Sequence, residues 1–162
     1  CILSFLDTPG HAKHHFSIYD PVSNGMFTGD TVGIRYEQLV RDGVNLFLPS
    51  TSPNQFEPNA MRQAIELMLG LNLNCIYFGH YGMTNNPNKA LQQVAVWLDI
   101  FMEEALSIVN EQKSHEILAG RLLVKVQDYL RENNIPDDHE VYGLIELDMK
   151  VSAMGILDYL MK

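Results

Sequence analysis

Two histidines and an aspartate stand at places in this sequence where their side chains could bind a metal ion. His11 ends the run Thr-Pro-Gly-His, Asp30 ends Phe-Thr-Gly-Asp, and His80 follows a glycine directly after an apolar run. Imidazole and carboxylate side chains at strand ends are typical ligands of hydrolytic transition metals. Three ligands are too few for a binuclear site. The chain also begins at Cys1 within an apolar run, and we therefore interpret it as the back half of a metalloenzyme.

Short strands and tight turns must position His11 and Asp30. Residues 2–7 lead into the Thr-Pro-Gly turn, and residues 15–19 alternate between polar and apolar side chains, as a half-buried strand does. An Asn-Gly pair then predicts a hairpin turn, and a short strand over residues 25–28 leads to Asp30. Neighbouring strands lie about 4.8 Å apart. The pattern therefore predicts that His11 and Asp30 lie at neighbouring strand ends.

A helix and a further strand precede His80. Apolar residues recur at helical spacing over residues 59–71, and residues 73–78 form an apolar run of strand length. Residues 42–58, which are rich in proline and polar turn formers, predict an irregular loop. The order of strand, helix and strand predicts a mixed α/β fold.

The sequence changes character after Pro87, and no strand pattern follows residue 80. Helical patterns cover residues 88–113, 115–133, 138–147 and 149–161. We therefore predict two parts, a strand-rich part over residues 1–86 and a helical extension over residues 87–162. The helical extension is also where we would expect a homodimer interface.

Composition limits the classes of partner. The chain has 162 residues, of which 46% are hydrophobic and 19% charged, so it can form a sizeable core. Its net charge of −9 argues against binding to nucleic acid, which needs clustered lysine and arginine. No apolar run has the length of a membrane span. Two cysteines make no disulfide framework, and we expect a cytoplasmic protein without nucleic-acid or membrane partners.

Taken together, Thr-Pro-Gly-His11, Phe-Thr-Gly-Asp30 and Gly-His80 resemble, in order and spacing, the later motifs of the metallo-β-lactamase-fold hydrolases. The resemblance covers residues 2–86, and the helical remainder resembles the variable C-terminal additions of that superfamily. It implies an α/β fold, namely the C-terminal half of a four-layer αβ/βα sandwich plus a helical C-terminal subdomain. The family's upstream His-x-His-x-Asp-His motif is absent from this chain. The resemblance therefore implies a partner, the upstream half of the same protein.

The resemblance also implies roles for individual residues. His11 would bind the first metal ion, His80 would bind the second, and Asp30 would bridge the two ions as the catalytic residue. The cofactors would be two divalent metal ions, with zinc as the first expectation and iron or manganese as alternatives. The residue types agree with these roles, because imidazole suits zinc and iron and a carboxylate can bridge two cations.

Three further residues lie close to these motifs. The family pattern places His15 as a buried group that supports the turn, as residues behind a ligand often do. Arg35 falls where the family's substrate pocket begins, so it could meet an anionic substrate group or form an ordinary surface ion pair. Tyr81, beside His80, could line the pocket or contribute to packing.

The resemblance implies hydrolysis of a small ester, thioester or lactone by a metal-bound hydroxide, with this chain supplying part of the site. Two alternatives remain open at this stage. One is an iron-dependent oxidoreductase on the same scaffold, such as a persulfide dioxygenase or a flavodiiron-like enzyme. The other is a non-catalytic binding module. The fold by itself does not distinguish them, since one scaffold supports many chemistries.

Overall fold

A mixed five-stranded sheet and four α-helices form the fold in the computed structural model, which describes residues 1–80, 82–109 and 114–162. The sheet has the order β1-β2-β3-β6-β7. Its strands are β1 (Ser4–Asp7), β2 (Phe16–Asp20), β3 (Gly25–Gly29), β6 (Cys75–Phe78) and β7 (Met83–Thr84). A second, two-stranded sheet pairs β4 (Ile34–Arg35) with β5 (Phe47–Leu48). The predicted mixed α/β class is confirmed.

Strand direction brings the candidate ligands to one edge of the five-stranded sheet. Strands β1 and β2 are antiparallel, β2 and β3 are antiparallel, and β3 and β6 are parallel. Strands β1, β3 and β6 therefore run in the same direction, and their carboxyl ends lie at the same edge. His11 follows the first of these strands, Asp30 the second and His80 the third.

Helix α1 (Pro58–Gly70) covers one face of this sheet through an apolar stripe. Its start is stabilised because the Glu57 side chain accepts a hydrogen bond of 2.7 Å from the backbone nitrogen of Ala60, and Pro58 occupies the first turn, where no N–H is needed. Buried Met61 and Ile65 recur at the helical spacing and share a hydrophobic core with the strands.

Three longer helices extend the same core. They are α2 (Pro87–Val109), α3 (His115–Glu132) and α4 (Val141–Leu160). Trp97 of α2 packs edge-on against Phe101 of the same helix and against Tyr129 of α3, with ring centroids 6.0 and 5.7 Å apart.

The boundary predicted at residue 86 falls between the last strand and α2, while the division into two domains stays a prediction. Among the described helices, none is both long and apolar enough to cross a membrane.

Three sequence-based expectations about secondary structure are wrong. Residues 42–58 are not wholly irregular, since they contain β5 and the first residue of α1, and β7 lies beyond residue 80. The strands concerned are two residues long, which is too short for a periodic pattern. Residues 138–147 and 149–161 do not form two helices, because α4 is continuous. Its buried residues follow one face, but apolar residues that remain exposed, such as Leu144 and Leu147, obscure the helical pattern.

One face of the five-stranded sheet is apolar and exposed. The pairing register aligns Phe5 with Ile18, Ile18 with Phe27, and Phe27 with Tyr77 across four adjacent strands. Phe5 is 65% exposed and Phe27 is 46% exposed, and the ring of Phe27 stacks on that of Tyr77 with centroids 4.5 Å apart. No described part of the chain covers this row. A contiguous apolar surface of this kind indicates an interface.

Candidate metal centre

The loop between β1 and β2 presents His11 towards the sheet edge. Gly10 has a φ of 145° and lies so close to α1 that an added Cβ would be 2.6 Å from the Met61 backbone, so glycine is required there. Nδ1 of His11 lies 2.9 Å from the carbonyl oxygen of Ser50. Because that oxygen can only accept, Nδ1 donates the hydrogen and Nε2 keeps its electron pair. His11 is thereby held in the tautomer that a metal ligand needs at Nε2.

Asp30 lies in a tight turn at the carboxyl end of β3. Gly29 precedes it with a φ of 52°, and the backbone nitrogen of Thr31 donates to the carbonyl of Thr28 over 3.2 Å. The side chain of Asp30 is mostly buried, and its Oδ1 atom has no hydrogen-bond partner among the described residues. A buried carboxylate oxygen without a donor is costly unless a cation balances its charge.

His80 approaches the same carboxylate from the end of β6. The backbone nitrogen of Gly79 donates to the carbonyl of Gly29 over 3.0 Å, which ties the two strand ends together. The Nε2 atom of His80 lies 3.5 Å from Oδ2 of Asp30, and Nε2 of His11 lies 3.9 Å from the same oxygen. The side chain of His80 is 58% exposed, so it is accessible from outside.

These distances fit a cation better than direct hydrogen bonding. The electron pair on Nε2 of His11 faces a carboxylate oxygen at 3.9 Å, which is too long for a hydrogen bond. Both atoms can donate an electron pair to a metal ion, and the unpartnered Oδ1 of Asp30 adds a third candidate atom. His11, Asp30 and His80, which the sequence singled out, therefore come together with donor atoms suited to a transition metal.

His15 lies in the same cluster, although its role stays a prediction. His11, His15 and Asp30 each offer a ligand atom, and these atoms lie within 4.8 Å of one another. Nδ1 of His15 lies 3.0 Å from the Thr31 hydroxyl, which itself donates to the Thr8 carbonyl over 2.8 Å. The hydroxyl has one hydrogen, so His15 must donate to it. Burial lowers the pKa of His15, and nearby His11 lowers it further, so Nε2 keeps its electron pair at neutral pH.

Strand alternation does not apply to His14 and His15, because β2 begins only at Phe16. Instead they lie in the loop, where Nδ1 of His14 is 3.2 Å from the side-chain oxygen of Gln55. His14 is thereby directed away from the Thr31 contact that His15 makes.

We expect Thr31→Val to weaken both the fold and the metal centre of the intact protein. Thr8 and Thr31 are fully buried, so loss of the hydroxyl leaves a carbonyl and an imidazole N–H without partners. An unsatisfied buried group costs about 1–3 kcal/mol in unfolding free energy. Loss of a group that orients a ligand typically lowers metal affinity about 10–100-fold. Urea unfolding and competition with a zinc chelator measure the two effects.

The matched control for this variant is Thr31→Ser, which keeps the hydroxyl and loses only a methyl group. It should retain most of the metal affinity. Equal losses of affinity in the serine and valine variants would contradict a role for the hydroxyl.

The remaining predicted residues have different environments. Arg35 pairs with Glu37 and is only 11% exposed, and its Nε atom has no partner among the described residues. It lines a cavity of about 560 Å³ that also contains His80. Tyr81 lies outside the described residues, so its predicted role stays a prediction. Phe47 and Phe56, two aromatic residues of the predicted loop, are buried.

Several residues around the centre gave no signal in the sequence. Ser50 and Thr31 act through a backbone carbonyl and a buried hydroxyl, which are common groups. Asp148 of α4 accepts a hydrogen bond of 2.7 Å from the Tyr36 hydroxyl, at the cavity that contains His80. Burial raises the pKa of Asp148, while the Tyr36 hydrogen bond and nearby His80 oppose this effect. Asp148 can be recognised only from the folded structure, because its partner Tyr36 lies far away in the sequence.

Comparisons with known proteins agree with this geometry. The sequence profile described as "Metallo-beta-lactamase superfamily" matches residues 2–80, a segment that contains all the candidate ligands. Among curated proteins, none matches the chain significantly.

Two solved structures share the fold. One is a metallo-beta-lactamase family protein from Thermus thermophilus, with 17% identity and a TM-score of 0.60 over 98% of this chain and 44% of that one. The other is an archaeal metallo-beta-lactamase superfamily protein from Sulfolobus tokodaii, with 20% identity and a TM-score of 0.55 over 96% of this chain and 46% of that one. The chain thus spans less than half the length of either structure. Residues 2–80 therefore belong to the metallo-β-lactamase superfamily, and the chain as a whole shares the fold of these two structures.

Proposed function

We propose that the intact protein hydrolyses a small ester, thioester or lactone with the help of two divalent metal ions. Zinc is the proposed metal, with iron or manganese as alternatives. The observation that supports the proposal most directly is the arrangement around Asp30. Its Oδ2 atom is approached by Nε2 of His11 at 3.9 Å and by Nε2 of His80 at 3.5 Å, from two different strand ends. We propose the cytoplasm as the location.

His11, His80 and Asp30 would have different roles in binding the ions. His11, oriented by the Ser50 carbonyl, would hold one ion, and His80 would hold the other. Asp30 would contact both ions and balance part of their charge. Bound at these residues, the ions would supply Lewis-acid chemistry, which activates water and polarises a carbonyl oxygen. His80 is exposed towards the cavity, so a substrate can approach the centre from that side.

The remaining metal ligands would come from the upstream half of the same protein. We propose that this half packs on the exposed row of Phe5, Ile18, Phe27 and Tyr77. The row crosses four strands, and three of these strands, β1, β3 and β6, lead at their carboxyl ends to the centre. An apolar sheet face of this size is typical of strands that pack against a second sheet. Burial of the row would place additional side chains beside His11 and Asp30.

Removal and return of metal tests the proposed activity. The intact protein should hydrolyse p-nitrophenyl acetate, lose this activity on treatment with a chelator, and regain it with zinc. Metal analysis should give two ions per protein, since His11 and His80 would each hold one. Ester hydrolysis that survives complete metal removal would contradict the proposal. Activity restored by iron alone, together with oxygen consumption, would instead support the oxidoreductase alternative.

The proposed packing of the upstream half makes a prediction for Phe27→Glu. In the intact protein we expect a loss of about 3 kcal/mol or more in unfolding free energy, because a buried aromatic side chain is lost and a charge takes its place. Chemical unfolding measures it. Val22→Glu is the matched control, because Val22 is 80% exposed in the turn after β2. If both variants are equally stable, the row is not covered in the intact protein.

A further inference from the structure

The cavity that contains His80 has one wall of strand and loop residues and one wall of helix. Ile34, Arg35, Tyr36, Glu37 and Gln38 line the first wall. Leu144, Leu147 and Asp148 of α4 line the second. Its volume of about 560 Å³ is in the range of small-molecule sites. Since His80 belongs both to this cavity and to the candidate metal centre, a molecule in the cavity can reach the centre directly.

The helical wall is apolar where it meets the cavity. Leu144 and Leu147 are 43% and 60% exposed, and both line this space. Ile34 lies on the opposite wall and is largely buried. Exposed leucines on a cavity wall favour an apolar occupant, because contact with them removes apolar surface from water.

The charged groups of the cavity disfavour an anion. Arg35 is the one positively charged side chain in the described lining, and Glu37 already pairs with it. Asp148 is a second carboxylate, held by the Tyr36 hydroxyl over 2.7 Å. Carboxylates therefore outnumber the guanidinium in the described lining, and an anionic ligand group away from the metal centre would meet net repulsion.

From these observations we propose that the cavity binds the acyl chain of the substrate and that this chain is apolar and uncharged. The inference rests on the proposed function, and it specifies the substrate class of the same site. The reacting carbonyl would lie beside His80, and the chain would extend between Ile34 and the two leucines of α4. The Arg35–Glu37 pair would select against acyl chains that end in a carboxylate.

A matched pair of esters tests the charge selection. p-Nitrophenyl butyrate and p-nitrophenyl hemisuccinate are similar in length, and only the second carries a terminal carboxylate. The zinc-loaded intact protein should prefer butyrate in kcat/KM. Glu37→Gln removes the partner of Arg35, and it should shift the preference towards hemisuccinate about fivefold, the size expected for one partly exposed ion pair. Glu146→Gln, a change on the exposed part of α4 outside this cavity, should leave the preference unchanged.

A binding measurement keeps the inference testable without hydrolysis. Octanamide is uncharged and is not an ester, and its affinity for the zinc-loaded intact protein can be measured by calorimetry. Leu147→Ala should weaken its binding about tenfold, since two or three methylene contacts are lost. Val151→Ala, one turn further along α4 and outside the cavity lining, should leave binding unchanged.

The outcomes separate the two proposals. Octanamide binding that depends on Leu147, without ester hydrolysis, would support the cavity assignment and contradict the proposed function. Ester hydrolysis with a preference for hemisuccinate would support the function and overturn the assignment. Octanamide binding that is unaffected by Leu147→Ala would also overturn it.

Discussion

Replacing Asp30 with asparagine should lower the metal affinity and the ester hydrolysis of the intact protein by at least about a hundredfold. Loss of a residue that only supports a ligand costs up to about a hundredfold, and loss of a ligand should cost at least as much. The amide has no negative charge, and one of its two polar atoms is an NH₂ group that cannot bind a cation. Asp30 is also the residue whose Oδ2 atom both His11 and His80 approach. Chelator competition and kcat/KM for p-nitrophenyl acetate measure the two effects.

The same substitution should not destabilise the metal-free protein. In that state Oδ1 of Asp30 is a buried charged atom without a donor among the described residues. Removal of an uncompensated buried charge is neutral or stabilising. Asp138→Asn, in an exposed loop, is the matched control and should change neither property. A strong loss of stability in metal-free Asp30→Asn would show that this carboxylate is structural and that the centre needs no cation there.

Gly79→Ala should impair the centre through steric displacement. An added Cβ would lie 2.7 Å from Oδ1 of Asp30 and 2.9 Å from the carbonyl carbon of Gly29. The carboxylate or the end of β3 must therefore shift, and a displacement of about 1 Å at a reacting centre can cost about a hundredfold in rate. The strained packing should also cost about 1–3 kcal/mol in unfolding free energy. Steady-state kinetics and urea unfolding, both in the intact protein, measure these effects.

Gly120→Ala is the matched control for the glycine variant. Gly120 lies in α3, and nothing stands within 4 Å of an added Cβ. Alanine there should stabilise the protein by about 1 kcal/mol, because it favours the helix, and should leave activity unchanged. Wild-type kinetics in Gly79→Ala would mean that the position of Asp30 tolerates displacement, contrary to the geometry described above.

The candidate ligands could be predicted from sequence because their signals are local. His11, Asp30 and His80 each follow an apolar run and lie beside a glycine, so strand end and ligand type can both be recognised within a few residues. The long helices could be predicted for a similar reason. Residues of α2 such as Leu91, Val94 and Leu98 face one core, and their spacing repeats over several turns.

Features that depend on distant contacts could not be predicted. The strands β4, β5 and β7 are two residues long and exist only because a partner strand lies beside each of them. Helix α4 is continuous although its apolar pattern suggested two helices, since exposed apolar residues such as Leu147 and Met154 obscure its buried stripe. The family pattern predicted that His15 supports the turn, yet its orientation depends on a hydroxyl 16 residues away in the chain.

The sequence by itself determined the family of residues 2–80, the mixed α/β class and the residue types at the candidate metal centre, because these depend on short motifs and their order. Only the tertiary structure decided how the residues meet. It aligned the carboxyl ends of β1, β3 and β6 at one edge, and it brought the Ser50 carbonyl to His11 from 39 residues away. It also brought Asp148 of α4 to Tyr36 across 112 residues. Such contacts form because burial of apolar surface brings distant segments together. A single polar residue that is buried in this way belongs to no repeating pattern in the sequence, so it cannot be recognised there.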